Sequence, residues 1–382
     1  MQFTEQHQQI RNTVRQFVEK EINPHVDKWE ADGIAPLHDI FGKAGDLGLL
    51  GINKPEEYGG MGLDYSYSLV ALEEWGSAGH GSVPLAISVQ TDMATPALAR
   101  FGSDELKRQF LAPAIAGDMV AAIAVSEPHA GSDVAAIKTT ARKRGDDYVI
   151  NGTKMWITNS TQADYLCLLA NTSDGQKHRN KSLIIVPTDT PGFTTSARLD
   201  KLGMRASDTA QLFLDEVVVP QHYLIGEEGM GFTYQMMQFQ EERLAGTAIC
   251  IKGLENCIRE TVAYTSQRQA FGKALLENQI VNMSLAEKQM EVEALRALTY
   301  RACELFINGE DPTLLASYAK LKAGKLARTI PSECLQFWGG MGYMWDNPVS
   351  RAMRDMRLTS IGGGADEVML GIIGKRMGLL AG

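Results

Sequence analysis

The sequence predicts a multidomain protein of α and β structure in the order helical, β, helical. Three observations predict it. Apolar residues recur at helical spacing from Thr4 onward, short strand-like runs separated by turn residues fill the middle of the chain, and long helical patterns resume after Gly231. At 382 residues and 44% hydrophobic content the chain exceeds what one core usually holds. The expected divisions are 1–118 (helical), 119–228 (β) and 229–382 (helical).

In the first segment Ile10, Val14, Phe17 and Val18 share one helical face, and Thr4 is a suitable N-cap because its hydroxyl can accept from an otherwise orphaned backbone N–H. The stretch 66–116 is rich in alanine and leucine, with Gly102-Ser103 a stop and restart before Asp104, and Gly117-Asp118 a boundary. In the middle segment, Tyr148-Val-Ile150, Tyr165-Leu-Cys-Leu-Leu169, Leu183-Ile-Ile-Val186 and Leu212-Phe-Leu214 read as strands. Asn151-Gly152, Asp174-Gly175 and Pro191-Gly192 read as the turns between them. The last segment is helical except for the glycine-rich turn Trp338-Gly-Gly-Met-Gly-Tyr343.

A net charge of −9 disfavours nonspecific affinity for nucleic acid or anionic lipid, although a local basic patch remains compatible with a phosphorylated ligand. The five cysteines (Cys167, Cys250, Cys257, Cys303, Cys334) form no CxxC pair, which argues against a disulfide scaffold, a zinc site or an iron-sulfur cluster, and fits a reducing compartment. No metal is expected. The start of the chain has no secretory-signal pattern, no apolar run reaches membrane-spanning length, and Leu380-Ala-Gly382 is not a serine-lysine-leucine address. The expectation is a cytoplasmic protein without an integral membrane segment.

Two loops carry chemistry. Val125-Ser-Glu-Pro-His-Ala-Gly-Ser-Asp133 packs small residues and hydroxyls after an apolar strand, which suits close backbone approach to a flat or anionic ligand; alone, an ordinary turn is as good a reading. In Lys154-Met-Trp-Ile-Thr-Asn159 an aromatic and a hydroxyl at alternate strand positions share a face, though a strand tryptophan is more often core. Together with Lys201-Leu-Gly-Met-Arg205, Arg268-Gln-Ala-Phe-Gly272, Gln279, Gln336-Phe-Trp-Gly-Gly-Met-Gly-Tyr343 and Pro348-Val-Ser-Arg-Ala-Met-Arg-Asp355, these loops resemble the acyl-CoA dehydrogenase family over nearly the whole chain. No GxGxxG follows a strand and opens a helix, so a Rossmann dinucleotide site is not expected.

The resemblance implies an acyl-CoA dehydrogenase fold: an N-terminal helical domain, a β-barrel-like middle domain and a C-terminal four-helix bundle, assembled as a homotetramer with one FAD per subunit. Carried over by position, Ile123, Val125, Ser126, Gly131 and Ser132 line the flavin, with Ser126 where threonine is commoner. Trp156, Ile157 and Thr158 cover the rest of the ring, Thr158 near N5. Arg268, Phe271 and Gln279 reach the FAD of a neighbouring subunit, and Gln336, Gly339 and Gly340 hold its pyrophosphate and adenosine end. Taken alone, Arg268 reads as a solvated helix-terminal charge.

The reaction implied is removal of an α-proton and a β-hydride from an acyl-CoA thioester to give the trans-2-enoyl-CoA, with electrons passed to an electron-transferring flavoprotein. The base is a carboxylate in a dry pocket, where desolvation raises its pKa. Some family members supply it from a C-terminal glutamate-glycine-threonine loop; here that position is Gly363, followed by Gly364 and Ala365. Others, the isovaleryl- and long-chain types among them, supply it from a bundle helix at the glutamate of a Glu-Arg pair, which Glu242-Arg243 matches. Periodicity alone separates Glu241 from Glu242 only weakly: Glu242 shares a face with Phe239, Ala245, Gly246 and Ile249, and Glu241 with Met237, Leu244 and Ala248.

Ser132, Arg243 and Gly363 are the substrate positions the resemblance assigns, with the Gly363 N–H donating to the thioester carbonyl and Glu367 taking the flavin edge that Ala365 leaves uncontacted. A missing side chain at 363 suggests a branched or medium to long acyl chain, and Trp345-Asp-Asn-Pro348 with Ser360-Ile-Gly-Gly-Gly-Ala-Asp-Glu-Val368 resembles the citronellyl-CoA type. Gln90, Thr91 and Met93 are candidates for the acyl tunnel, and Ala245, Gly246 and Ala248 either widen the pocket or mark close helix packing. The alternatives are an acyl-CoA oxidase using oxygen, against which the chain length argues, and a non-catalytic acyl-CoA-binding flavoprotein.

Overall fold

A computed structural model describes residues 1–379; Leu380-Ala-Gly382, read above for an address signal, lies outside the described residues. The N-terminal part is helical: α1 (Glu5–Phe17), α2 (Val26–Asp32), α3 (Leu37–Asp46), α4 (Tyr65–Trp75), α5 (Ser82–Ser88), α6 (Pro96–Phe101), α7 (Asp104–Leu106) and α8 (Ala112–Ala116). Thr4 caps α1 as expected, accepting from the His7 N–H at 3.4 Å while the His7 ring accepts from the Thr4 N–H at 3.1 Å. Gly102 ends α6, and the Ser103 hydroxyl accepts from the Leu106 N–H at 3.2 Å to restart the chain as α7.

The β domain comprises β1 (Ala121–Ala124), β2 (Thr140–Arg144), β3 (Asp147–Thr158), β4 (Tyr165–Asn171), β5 (Lys181–Pro187), β6 (Phe193–Thr195), β7 (Thr209–Pro220) and β8 (Leu224–Ile225). They form one sheet in the order β6-β7-β3-β2-β4-β5-β8, with β1 parallel to β4. Strand β4 is buried on both faces. Tyr165, Cys167 and Leu169 join a core with Leu98, Phe110 and Leu111 of the helical domain, while Leu166, Leu168 and Ala170 join Ile150, Leu212 and Val217 inside the sheet's own curve.

One expectation fails here. Asn151-Gly152 is not a turn; it lies inside β3, at a register shift against β7. The Asn151 side chain accepts from the Glu216 N–H at 2.9 Å and donates to the Glu216 carboxylate at 2.7 Å. The pair stabilises a bulge, so β3 continues to Thr158 and carries the second chemistry-bearing loop on its end.

The C-terminal part contains α9 (Gly231–Gln267), α10 (Gln279–Ile307), α11 (Thr313–Gln336), α12 (Pro348–Met356) and α13 (Asp366–Arg376), with the small hairpin β9 (Gln269–Ala270)/β10 (Lys273–Ala274) between α9 and α10. Helices α9, α10 and α11 pack on one another around Ile251, Leu254, Leu285, Val292, Ala319 and Ala323, and α13 packs on α11. The start of α9 is wedged on β5: a Cβ at Gly231 would lie 2.4 Å from the Ser182 carbonyl carbon. The three parts meet at buried Asp355 of α12, whose carboxylate accepts from the N–H of Gly81 at 2.9 Å and of Met204 at 2.5 Å.

Candidate active site

Helix α9 and the turn before α13 bring two distant sequence positions together. Gly363 and Gly364 adopt left-handed backbone, φ +63° and +92°, which glycine takes without the Cβ clash that other residues suffer. A Cβ built on Gly363 would lie 3.4 Å from Glu242 Oε1 and 3.5 Å from Lys320 Cε. The helix-borne carboxylate therefore sits where a side chain at 363 would point. Burial pushes Glu242 up to about 7, against the opposing pull of Lys320 and Arg243. A carboxyl poised near neutrality is matched to general-base work.

Glu241 has a different environment. It is 1% exposed and forms an ion pair with Arg100, with Lys54 and Asp92 close by; its second oxygen has no partner among the described residues. The Tyr65 hydroxyl bonds both Asp92, at 2.9 Å, and the Glu241 carbonyl, at 3.1 Å. This buried polar cluster fixes α4, α6 and the wide helical turn Val89–Ala94 onto α9. Ala245 and Ala248 pack beside it with Leu69 and Leu72, which is close helix packing, whereas an added Cβ at Gly246 would meet nothing within 4 Å. Of the small residues, only Gly246, one turn beyond Glu242, borders open space. Arg243 is buried, and its Nε has no partner among the described residues.

The two loops of the β domain are tied together by a buried ion pair. Lys154 Nζ donates to the Val125 carbonyl at 2.9 Å, the Leu169 carbonyl at 2.8 Å and Glu127 Oε1 at 3.1 Å; Glu127 also accepts from the N–H groups of Lys138 and Thr139. The Met155 N–H donates to the Ser126 carbonyl at 2.9 Å, so the segment 125–132 lies alongside the end of β3. There Trp156 adopts φ +60° at a second register shift and is 54% exposed, Ile157 turns into the sheet core, and Thr158 is half-buried with its hydroxyl 3.5 Å from that of Thr209. Val125 is likewise core and Ile123 packs at its margin, so these two and Ile157 offer a ligand mainly backbone. Ser126 is half-buried, and Gly131 and Ser132 are exposed. A bare aromatic face, the Ser126 and Ser132 hydroxyls and an open Gly131 fit a broad flat ring.

The remaining cofactor candidates lie elsewhere. Arg268, Phe271 and Gln279 are exposed around the β9/β10 hairpin, where Phe271 (φ +54°) and Gly272 (φ +81°) form the left-handed turn. Gln336, Gly339 and Gly340 are exposed beside them: Trp338 stacks on Tyr264 at 4.1 Å, and a Cβ at either glycine would meet nothing within 4 Å. From Glu242 to Tyr264 is about 33 Å along α9 at the helical rise. Glu367 is exposed at the start of α13.

Family models for the N-terminal, middle and C-terminal domains of acyl-CoA dehydrogenases match residues 4–118, 122–217 and 229–378. The chain belongs to the acyl-CoA dehydrogenase family. It is similar to the short-chain specific acyl-CoA dehydrogenase of rat mitochondria, at 37% identity over 96% of this chain and 89% of that protein. It is similar too to the long-chain specific enzyme of pig mitochondria, at 36% identity over 98% and 87%. A solved structure described as the electron transferring flavoprotein of Acidaminococcus fermentans superimposes with TM-score 0.95 at 32% identity, covering 99% of both chains. The protein is thus an oxidoreductase with the acyl-CoA dehydrogenase fold. These relatives do not confirm the narrower resemblance to citronellyl-CoA dehydrogenases.

Within the acyl-CoA dehydrogenase frame, Gln90 also has a structural part. Its amide donates to the carbonyls of Ala114 and Met119 and accepts from the Ala121 N–H, stitching the helical domain to β1. Sequence reasoning missed Lys320, although a signal was present. Lys320 lies on the same face of α11 as Ala316, Ala323 and Ala327, and a lysine on an alanine stripe is out of place unless it has partners.

Among the described residues no group of histidine, cysteine or acidic side chains is arranged to hold a metal ion, all five cysteines are free and buried, and no helix is long and apolar enough to cross a membrane.

Proposed function

We propose that the protein is an FAD-dependent dehydrogenase that converts an acyl-CoA to its trans-2-enoyl-CoA, with Glu242 as the base. The observation that carries this reading is the carboxylate of Glu242 facing Gly363 at 3.4 Å from its built Cβ, desolvated to a pKa of about 7. FAD, when bound, supplies the two-electron acceptor for the β-hydride. The protein's part is to hold the thioester and take the α-proton onto a Glu242 oxygen, the C–H electron pair passing into the developing double bond. The Gly363 N–H is the donor suited to the thioester carbonyl, which gains negative charge as the proton leaves.

Ser126, Gly131, Ser132, Trp156 and Thr158 would receive the flavin. The 33 Å separation argued above sets Arg268, Phe271, Gln279, Gln336, Gly339 and Gly340 too far from Glu242 to serve the same flavin within one protomer, which supports their acting on a neighbouring subunit's cofactor in a homotetramer. The electron acceptor is an electron-transferring flavoprotein. The open position Gly246, one turn beyond Glu242, supports a branched or medium to long acyl chain.

Anaerobic mixing of the FAD-loaded protein with acyl-CoA thioesters tests the assignment. Wild type should bleach the flavin, and Glu242→Gln should retain FAD without bleaching; equal bleaching in the variant removes Glu242 from the role. On admitting air, rapid peroxide release would identify an oxidase instead of a dehydrogenase.

A further inference from the structure

Lys320 is 3% exposed in the middle of α11. Its ammonium donates to the Thr359 carbonyl and, at 3.1 Å, to the Gly364 carbonyl, two acceptors that bracket the turn holding Gly363. Its Cε lies 3.5 Å from the built Cβ of Gly363, on the side where Glu242 Oε1 also lies. A buried ammonium bonded only to neutral carbonyls needs anions nearby. Two face it: Glu242 from α9, and Asp366 from the start of α13, which also accepts from Arg328 at 2.7 Å. Close approach of Asp366 depends on Gly324 of α11, since a Cβ there would fall 2.3 Å from Asp366 Oδ1.

We infer that Lys320 is a positioning residue for the reaction: it clasps the glycine turn to α11, opposite Glu242, and supplies the positive charge that favours the ionised form of Glu242. This rests on Glu242 being the base, as proposed above. The charged groups facing Glu242 are Arg243 on its own helix and Lys320 across from α11; those facing Lys320 are Asp366, Glu242 and Arg243, with the Cys250 thiol held neutral by burial. Arg243 lies on the backbone next to the base, whereas Lys320 bonds the turn directly and acts on Glu242 through space, so one side chain couples the acid's charge to the position of the Gly363 N–H.

The sign follows from desolvation. Burial alone opposes ionisation of Glu242, and the cation offsets part of that, so removing it raises the pH at which the carboxylate forms. In the FAD-loaded enzyme, Lys320→Met and Lys320→Gln should shift the acid limb of the kcat/KM profile upward by about one pH unit, roughly a tenfold loss near neutrality that recovers at higher pH. Lys320→Arg, which keeps the charge, should leave the limb near its wild-type position. Glutamine retains a donor for one of the carbonyls, so it remains informative if the methionine variant folds poorly. A second readout needs no turnover: the infrared carboxyl band of Glu242, assigned by subtraction of Glu242→Gln, should titrate higher in both neutral variants. An unmoved limb and band in those variants, or an equal shift in Lys320→Arg, would overturn the inference. An active Glu242→Gln would instead overturn the base assignment on which it rests.

Discussion

At the scale of single residues, the site depends on an exchange between positions 242 and 363. Gly363 takes left-handed backbone, and its missing side chain leaves room for a carboxylate delivered from α9. Gly363→Glu would bring a second acid toward Glu242 and force a non-glycine residue to φ +63°, at a conformational cost of about 1–2 kcal/mol. The variant is expected to melt lower and to use 3-methyl-branched thioesters less well relative to straight ones. Steady-state kcat/KM on both substrate types checks this, and an unchanged branched-to-straight ratio would remove the spacing argument. Periodicity separated Glu241 from Glu242 only weakly, because each shares its face with small and apolar residues and a buried ion pair looks the same in sequence as a solvated one. Arg100, more than a hundred residues away, is what marks Glu241 as structural. Lys320 escaped for the related reason that lysine is read as surface unless its partners are known, and those partners are backbone carbonyls.

At the scale of elements, β3 shows how a local signal misleads. Asn-Gly between apolar runs is the usual hairpin signature, yet here Asn151 bonds across to Glu216 and the strand continues through a bulge. Strand length was therefore under-read, while the helix starts at Thr4 and Ser103 were legible because capping is chemistry between near neighbours. Extension of β3 delivers Lys154 beneath the segment 125–132, where it is fully buried against Glu127 and two carbonyls. Breaking a buried pair leaves an uncompensated charge and costs about 3–5 kcal/mol. Lys154→Met should accordingly lower the melting temperature and the flavin content together, since Val125 loses its anchor. A variant that keeps full flavin despite a lower melting temperature would show that the Met155–Ser126 backbone bond alone holds the loop.

At the scale of the whole molecule, the order helical, β, helical was legible because each part has its own hydrophobic period, 3.6 or 2, over many residues. The seam at Asp355 was not, because its carboxylate joins backbone N–H groups from two other, distant segments. The same limit applies to surfaces. Phe271 is fully exposed, Tyr343 is 94% exposed, and Trp345, Met341 and Met344 are more than half exposed at the same end of the bundle. A single protomer carrying so many bare aromatic and apolar groups beside Arg268 is expected to bury them against other copies of itself. If those copies complete the cofactor site, flavin binding and assembly are one equilibrium. Sedimentation of the FAD-loaded protein over a dilution series should then show flavin absorbance moving only with the oligomer, and Arg268→Ala should release flavin at a higher protein concentration than wild type does. A protomer that sediments alone with a full complement of flavin would mean that the hairpin of one copy does not serve the flavin of another.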